Sequence, residues 1–429
     1  MSKLPQDEPQ PNPTTPLHLH AELLPNIRQL TLYISVPPNT PRSDLQINLS
    51  DSRRAVTVTT SSDTNQDGPS STSETIKLPA RVSESSRRIL QQQPPSTQSG
   101  SECEYSFRMQ VYDNDTSLHK DESTLNDGFI PWTATDMSAH TRLRCVKCHN
   151  PILNEGKVWK DLPSGNWAEM MDFWHCHKPD PPEEEKNKDG EDPNAVVKGY
   201  GAGNQLVAVE GTVLVDVTSF LVKGVDCLGV EESKVPPRDS TPTQPEPTIL
   251  TCKSCTTQLG LPDPIANGYR LFKTNLSANT PSSSSSEQNP PEESWESHPP
   301  ETILTAQLLE LIERESYRRF VIHCGAKEGL LIWPFNPSLR YSTTSASHST
   351  AAQLAMKVFY QHIENVEEVL HPEAGKGSQS LAIEEVRLPG EDAYRGLVGV
   401  LEERNGMLPA SARVFREWRV GLLWRFERK

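Results

Sequence analysis

Two Cys-x-x-Cys pairs constrain what this chain can fold into more than any other feature of its sequence. They are Cys145 with Cys148 and Cys252 with Cys255. Each pair can present two sulfurs to one Zn²⁺ at about 2.3 Å, and two such turns complete a tetrahedral four-cysteine site. About 100 residues separate the pairs, far more than the roughly 15–20 of a zinc ribbon. A joint site therefore requires the segment between them to fold back on itself.

The residues inside both turns are compatible with a metal. Lys147 and Lys253 lie in the turns, and a zinc ion with four thiolates carries a formal charge of about −2, which an ammonium group offsets. We therefore predict one structural Zn²⁺ as the cofactor, bound by all four cysteines. Pairs of buried thiols without metal and two separate metal sites remain open alternatives. The side chains that could complete separate sites are His149, His175, Cys176 and His177.

Composition and charge narrow the class of protein. The first residues, MSKLPQDEPQPNPTT, lack the apolar stretch of a secretory signal, and no run of about 18 apolar residues could span a membrane. We therefore expect an intracellular protein, in which paired cysteines indicate metal binding more than disulfides. The formal net charge of −15 argues against direct binding of nucleic acid, because contacts to phosphates need a surplus of lysine and arginine.

Several segments have the composition of disordered insertions. Only 34% of the residues are hydrophobic and 37 are proline, so a good part of the chain is expected to lie outside any core. Segments rich in Ser, Pro or charge cannot bury enough apolar area to offset roughly 1–2 kcal/mol of ordering per residue. We interpret them as surface insertions, with phosphorylated regulatory loops as the alternative. They are a tail over residues 1–17 and insertions over about 61–100, 181–194, 231–247 and 278–300.

Between these segments the pattern favours β-strands up to about residue 300. Leu30, Leu32 and Ile34 alternate along the end of segment 18–36 and so share one face of a strand. The other strands predicted in this part of the chain cover residues 105–111, 206–209 and 212–217.

Beyond residue 300 helical patterns appear. Leu304, Leu308, Leu311 and Ile312 recur at helical spacing, which predicts an amphipathic helix. Further helices are predicted over residues 351–370 and 390–405, and strands over 320–323, 329–333 and 415–426. The predicted fold class is α+β. A β-rich N-terminal and central region with the zinc site covers residues 18–300, and an α+β C-terminal region covers 301–429.

The segment NWAEMMDFWHCHKPD, residues 166–180, holds a further candidate site. The helical spacing of its tryptophans and methionines predicts a short helix with one side in a core. Cys176 lies at the end of this helix, between His175 and His177. A helix C-terminus raises the pKa of a thiol, whereas protonated imidazoles lower it. A nucleophile with its bases, metal ligands and packed structural residues all remain open for these three. The remaining cysteines are expected to be buried structural thiols: Cys103, Cys227 and Cys324.

The order of several landmarks resembles a known family. The chain runs from RCVKCHNPIL to LPSGNWAEMMDFWHCHKPD, then to CKSCTTQLG with GYRLFKTNL, and finally to LLIWPFNPSLRYSTT. In this order it resembles the HECT-like family of ubiquitin-conjugating-enzyme (E2)-binding proteins, from about residue 18 to the C-terminus. The resemblance implies a ubiquitin-protein ligase that binds a charged E2 and helps to move ubiquitin to a lysine of a protein substrate.

A HECT-like mechanism would add a covalent step, in which a cysteine accepts ubiquitin as a thioester. A true HECT domain has its cysteine in a small C-terminal lobe, whereas this chain has no cysteine after Cys324. The paired cysteines are better used as zinc ligands. Under this resemblance Cys176, with His175 or His177 as the base, is the best candidate for the thioester.

The same family is similar to a yeast factor linked to messenger-RNA 3′-end processing, which implies a second role. In that role the protein has no catalysis of its own and is a zinc-stabilised partner or chaperone of the cleavage endonuclease. Whether the chain is an enzyme is therefore left open. The expected partners are an E2, ubiquitin, a protein substrate and, in the second role, the nuclease. The expected location is the cytoplasm and the nucleus.

Overall fold

A computed structural model describes most of the chain. The described residues are 17–38, 40–62, 70–92, 96–99, 102–112, 128–162, 206–234, 248–279, 294–344, 352–372 and 383–428. The chain divides into two compact units whose segments alternate along the sequence. Unit 1 is drawn from Met1–Asn126, Arg318–Val386 and Arg395–Arg425. Unit 2 is drawn from Asp127–Tyr317, Arg387–Tyr394 and Phe426–Lys429.

The described part of the chain is rich in strands. In chain order they are β1 (His18–Leu24), β2 (Gln29–Val36), β3 (Leu45–Leu49), β4 (Ala55–Ser62), β5 (Ser70–Lys77), β6 (Ser96–Ser99), β7 (Glu102–Gln110), β8 (Arg142–Cys145), β9 (Pro151–Leu153), β10 (Val158–Asp161), β11 (Thr212–Val215), β12 (Ser219–Val222), β13 (Val230–Lys234), β14 (Thr248–Cys252), β15 (Gln258–Asp263), β16 (Gly268–Phe272), β17 (Leu276–Asn279), β18 (Trp295–Glu296), β19 (Arg319–His323), β20 (Gly329–Thr343), β21 (Gln353–Ile363), β22 (Ile383–Arg387), β23 (Val414–Phe415) and β24 (Trp418–Trp424). The α-helices are α1 (Ser86–Gln91), α2 (Pro300–Glu315), α3 (Val366–Leu370) and α4 (Glu391–Met407).

Ten strands form one large sheet. Its main path is β23-β24-β21-β20-β1-β2-β7-β6, and β19 and β22 pair beside this path. β1 pairs antiparallel with β2 on one side and with β20 on the other, where His18 and Thr343, 325 positions apart, share a side-chain hydrogen bond. These pairings cross the boundary predicted near residue 300. The predicted alternation of Leu30, Leu32 and Ile34 is confirmed, because all three are fully buried.

A three-stranded sheet, β3-β4-β5, shares a core with β1, β2 and β7. It contains part of the insertion expected over residues 61–100. Ile76 on β5 is fully buried, and hydroxyl pairs such as Thr57 with Thr75 join β4 to β5 at 2.8 Å. Residues 70–92 contain β5, α1 and the connection between them, so the insertion expected over residues 61–100 is too long. The reason is that Ser and Thr pair well across a sheet.

Two predicted elements are wrong. Residues 353–363 form strand β21, and only Val366–Leu370 of the predicted 351–370 helix is helical. β21 lies between β20 and β24 with both faces largely buried, so its apolar residues run on without the alternation of a half-buried strand. Residues 206–209 form no strand; Ala208 donates one backbone hydrogen bond to Ala266 while Val207 and Val209 are exposed.

The helix predicted from Leu304, Leu308, Leu311 and Ile312 is confirmed as α2, and all four side chains are buried. It ends at Ser316, which has φ 60° and donates its backbone N–H to the Ile312 carbonyl, a left-handed C-terminal cap. The helix predicted over residues 390–405 is confirmed as α4. Among the described residues, no helix has the length and apolar character needed to cross a membrane.

Unit 2 contains two sheets around one core. The larger has the order β10-β11-β12-β16-β15-β14-β13, and the smaller has the order β18-β17-β8-β9. Trp132, Phe220 and Leu271 are among the buried residues of this core, together with Cys145 and Cys252. The first cysteine of each Cys-x-x-Cys pair is therefore the last residue of a strand, and the two strands belong to different sheets. The described part of the chain thus fits the predicted α+β class, with strands predominating.

A buried ion pair lies on the polar face of the large sheet. The Lys357 ammonium donates to both carboxylate oxygens of Glu22, at 2.8 and 2.7 Å, and His20 Nε2 lies 3.2 Å from the same carboxylate. Burial alone would raise the pKa of Glu22, but Lys357 and His20 together outweigh it and lower the pKa to about 2. The pair therefore links β1 to β21 across β20.

Lys357→Met is expected to lower the free energy of unfolding by about 3–5 kcal/mol at neutral pH, because it leaves the Glu22 carboxylate buried without its counterion. Since the folded pKa of Glu22 lies below its ordinary value of 4.5, its contribution is complete above that value and is lost as the pH falls through about 2. The difference between wild type and variant should therefore shrink at acid pH, as measured by urea denaturation at pH 7 and at pH 3. Arg419→Met is the control, since the exposed pair of Arg419 with Glu402 contributes under about 1 kcal/mol. Equal effects of the two substitutions would contradict this prediction.

Candidate metal centre

Each Cys-x-x-Cys pair lies in the turn of a β-hairpin. The first turn joins β8 to β9, and the second joins β14 to β15. The backbone N–H of Cys145 donates to the Asn150 carbonyl at 2.9 Å, and that of Cys252 donates to the Thr257 carbonyl at 2.9 Å. The hairpins thus close the two turns at equivalent positions, and the cysteines of each pair point to one side of the turn.

The residue after each pair has the same unusual conformation. His149 has φ 61° and Thr256 has φ 57°. Each donates its backbone N–H back to the first cysteine of its turn, Cys145 at 3.0 Å and Cys252 at 2.8 Å. A positive φ is rare for a β-branched residue such as Thr and persists only where the surroundings fix it. Two segments that are far apart in sequence therefore form turns of the same conformation.

The two turns bring four sulfurs together. The Sγ atom of Cys145 lies 3.7 Å from that of Cys255, and Cys148 Sγ lies 3.5 Å from Cys252 Sγ. All four sulfurs lie within 4.8 Å of one another. The predicted convergence of the two pairs is confirmed.

The geometry fits a tetrahedral thiolate site. Zn–S bonds of about 2.3 Å place the sulfurs of a tetrahedron about 3.8 Å apart, close to the shortest distances found. All four cysteines are free thiols, and their separations are far longer than the roughly 2.05 Å of a disulfide bond. The cluster consists of soft sulfur ligands alone, which favours Zn²⁺ over Mg²⁺ or Ca²⁺.

The pKa values of Cys148 and Cys255 are shifted in opposite directions. A backbone hydrogen bond from Asn150 favours the Cys148 thiolate, but burial and the neighbouring sulfurs raise the pKa of Cys148 to about 12. Burial also disfavours the Cys255 thiolate, yet hydrogen bonds with Thr257 and the other sulfurs lower its pKa to about 6. Without a metal, a thiolate is therefore favoured at Cys255 and disfavoured at Cys148. A bound Zn²⁺ would deprotonate the thiols that coordinate it.

A third loop packs against both turns. The Lys253 N–H in the second turn donates to the Gly229 carbonyl at 2.9 Å, just before β13. A Cβ at Gly229 would collide with the Asn150 amide and with the Pro151 carbonyl, both in the first hairpin. Gly229 thus lies between the two turns, where only glycine fits without a shift.

Sequence reasoning missed the side chains around the sulfurs. Cys255 Sγ lies 3.2 Å from Thr257 Oγ1, and Asn150 Nδ2 lies 3.9 Å from Cys252 Sγ. Both polar residues stand two positions after the second cysteine of a pair. That shared position was the signal in the sequence that could have identified them as groups that orient the ligands.

The other candidate ligands are not part of the cluster in the described residues. The His149 side chain is exposed and lies outside it. His175, Cys176 and His177 lie outside the described residues, so their predicted roles stay predictions. Cys103 is buried as expected, whereas Cys227 and Cys324 are only partly buried.

Two yeast proteins are similar to this chain. A Schizosaccharomyces pombe protein of uncharacterised function is 25% identical over 312 residues, which cover 70% of this chain and 79% of the relative. A Saccharomyces cerevisiae protein, also uncharacterised, is 23% identical over 322 residues, which cover 71% of this chain and 77% of the relative. No solved structure matches the chain significantly.

A family description covers nearly the whole chain. The model of the HECT-like E2-binding proteins matches residues 22–420. This range includes all four clustered cysteines and every strand of the large sheet at least in part. It agrees with the resemblance read from the order of the sequence landmarks. The chain therefore belongs to the family of HECT-like ubiquitin-conjugating enzyme (E2)-binding proteins.

Proposed function

We propose that the protein is an E3 ubiquitin-protein ligase, which binds a ubiquitin-conjugating enzyme and promotes the transfer of ubiquitin to lysines of protein substrates. The observation that carries this proposal is the family match over residues 22–420. Binding of an E2 is the part that the family description names, and ligase activity is the step that we add. Ubiquitin and a protein substrate are then the further partners.

The four-cysteine cluster supports the proposal as a structural centre. Its four sulfurs would fill all positions of a tetrahedral Zn²⁺, whereas a catalytic zinc keeps one position open. Bound Zn²⁺ would supply free energy of folding, since thiolates of two distant hairpins could stay together around it. We assign it the role of fixing the two hairpins of unit 2 and no part in the transfer of ubiquitin.

Any covalent step needs a cysteine outside this cluster, and we propose Cys176. Its thiolate would attack the carbonyl carbon of the E2–ubiquitin thioester and release the E2 thiolate, with His175 or His177 as the base. Two of the three described cysteines outside the cluster are unsuited to this role. Cys103 is buried, and burial raises the pKa of Cys227 to about 12, so neither is an available nucleophile.

Elemental analysis of the purified chain is expected to give about one zinc per molecule. Cys252→Ser should lose the metal and much of the stability, because one ligand of a closed site is removed. Cys227→Ser is the matched control: it changes a partly buried thiol of the same unit outside the cluster and should keep the zinc. A wild-type chain that is folded without metal, or zinc retained by Cys252→Ser, would refute the assignment.

Incubation with ubiquitin, activating enzyme and E2 is expected to give an adduct of ubiquitin with this protein that a reducing agent removes. Cys176→Ser should lose the adduct, and Cys324→Ser, the control at the partly buried cysteine after β19, should keep it. Loss in Cys324→Ser alone would move the thioester to that residue. A wild-type chain that binds E2 without ever forming the adduct would exclude the covalent step and leave a non-catalytic binding protein.

A further inference from the structure

Five aromatic side chains form a continuous cluster near the β23 edge of the large sheet. We call this cluster the aromatic patch. It consists of Trp333 and Phe335 on β20, Phe359 on β21, Phe415 on β23 and Trp418 on β24. All five belong to unit 1, and none is used by the metal centre.

The rings are in direct contact with one another. Phe359 lies between Phe335 and Phe415, with centroid distances of 4.9 Å to each, and its ring is within 10° of parallel to Phe415. Trp333 meets Phe359 edge-on at 5.4 Å and Trp418 at 6.1 Å. These distances are those of favourable aromatic pairs, so the rings hold one another in place before any partner arrives.

The outer rings of the patch are exposed to solvent. Phe335 is 54% exposed and Phe415 is 44% exposed, and the neighbouring Val414 is 58% exposed. Phe359 and Trp418 are buried beneath them. A single exposed apolar residue is ordinary, but a contiguous aromatic surface marks a site of interaction.

Two arginines border the patch and form no ion pair with the described part of the chain. The Arg319 guanidinium lies 5.9 Å from the Trp333 ring centroid, and that of Arg416 lies 5.5 Å from Phe415. Neither forms an ion pair within the described ranges, whereas Arg419 on the adjacent strand pairs with Glu402 at 3.1 Å. Beside them, the Glu417 carboxylate accepts a hydrogen bond from Trp418 Nε1 at 3.1 Å. In a chain with a net charge of −15, two arginines against this one carboxylate favour a partner that brings further carboxylates.

We propose that the aromatic patch is the surface that docks the ubiquitin-conjugating enzyme, and that it receives a large apolar side chain of the E2 flanked by carboxylates. The identity of the partner rests on the proposed function. Aromatic and arginine side chains are enriched at protein interfaces, and a few residues, often Trp, Tyr or Arg, contribute most of the binding free energy there. Rings already fixed by mutual contact also lose little conformational freedom on binding.

The test measures the affinity of the full-length protein for a panel of E2 enzymes, each carrying ubiquitin through a stable linkage, by biolayer interferometry. The double variant Phe335→Ala, Phe415→Ala and the charge reversal Arg416→Glu are compared with wild type. Ile27→Ala, at an isolated residue that is 60% exposed, is the apolar control. Arg88→Glu, at an exposed arginine of α1, changes the net charge by the same amount as Arg416→Glu. Thermal unfolding and light scattering of every variant establish that it is folded and give its oligomeric state.

The expected result is at least a tenfold weaker affinity for both patch variants and an unchanged affinity for both controls. The affinity of the Arg416→Glu variant should also fall less with added salt than that of wild type, because salt screens the attraction of Arg416 for carboxylates. An E2 that binds wild type and patch variants equally would overturn the inference and leave the proposed function standing. Absence of binding by wild type to every E2 would overturn both. A wild-type dimer that only the patch variants dissociate would overturn the inference by assigning the patch to contacts between copies of this chain.

Discussion

The convergence of four sulfurs is the constraint on which unit 2 depends. Closing a loop of about 100 residues lowers the entropy of the chain, and interactions at the point of closure must offset this cost. The two hairpin turns are linked through Gly229, whose carbonyl accepts a hydrogen bond from the Lys253 N–H and which leaves room for Asn150 and Pro151 of the first hairpin. A cation bound by the four sulfurs would offset the mutual repulsion of their thiolates. Such an ion would therefore stabilise unit 2 together with its core.

The four-cysteine cluster could be predicted from the sequence, but the groups that surround it could not. The Cys-x-x-Cys spacing lets two sulfurs of one turn reach the same metal ion, and this requirement is visible in a short stretch of sequence. The four cysteines were therefore identified although the number of residues between the pairs is atypical. The surrounding groups follow from packing in three dimensions. The need for glycine at Gly229 arises from the side chain of Asn150 and the carbonyl of Pro151, which belong to another hairpin, and no local pattern in the sequence expresses that.

The fold was predictable where apolar residues recur on one face of an element and polar residues on the other. The alternation in β2 and the helical spacing in α2 both show this pattern, and both elements were found as expected. β21 is buried on both faces between neighbouring strands, so its apolar run lacked a period that separates strand from helix. The prediction for β5 was wrong for the opposite reason. Its polar composition resembled that of a disordered segment, although Ile76 and cross-strand hydroxyl pairs hold it in a sheet.

The pairing of β1 with β20 has a consequence for synthesis on the ribosome. Most of unit 2 lies within Asp127–Tyr317, so all four cysteines leave the ribosome before β20 is made. During that interval β1 and β2 have emerged, but the edge of β1 that β20 will cover has no partner among the strands already translated. An open strand edge is a template for association with other chains. The nascent protein therefore passes through a stage in which the unit with the four cysteines can fold while β1 and β2 need protection from aggregation.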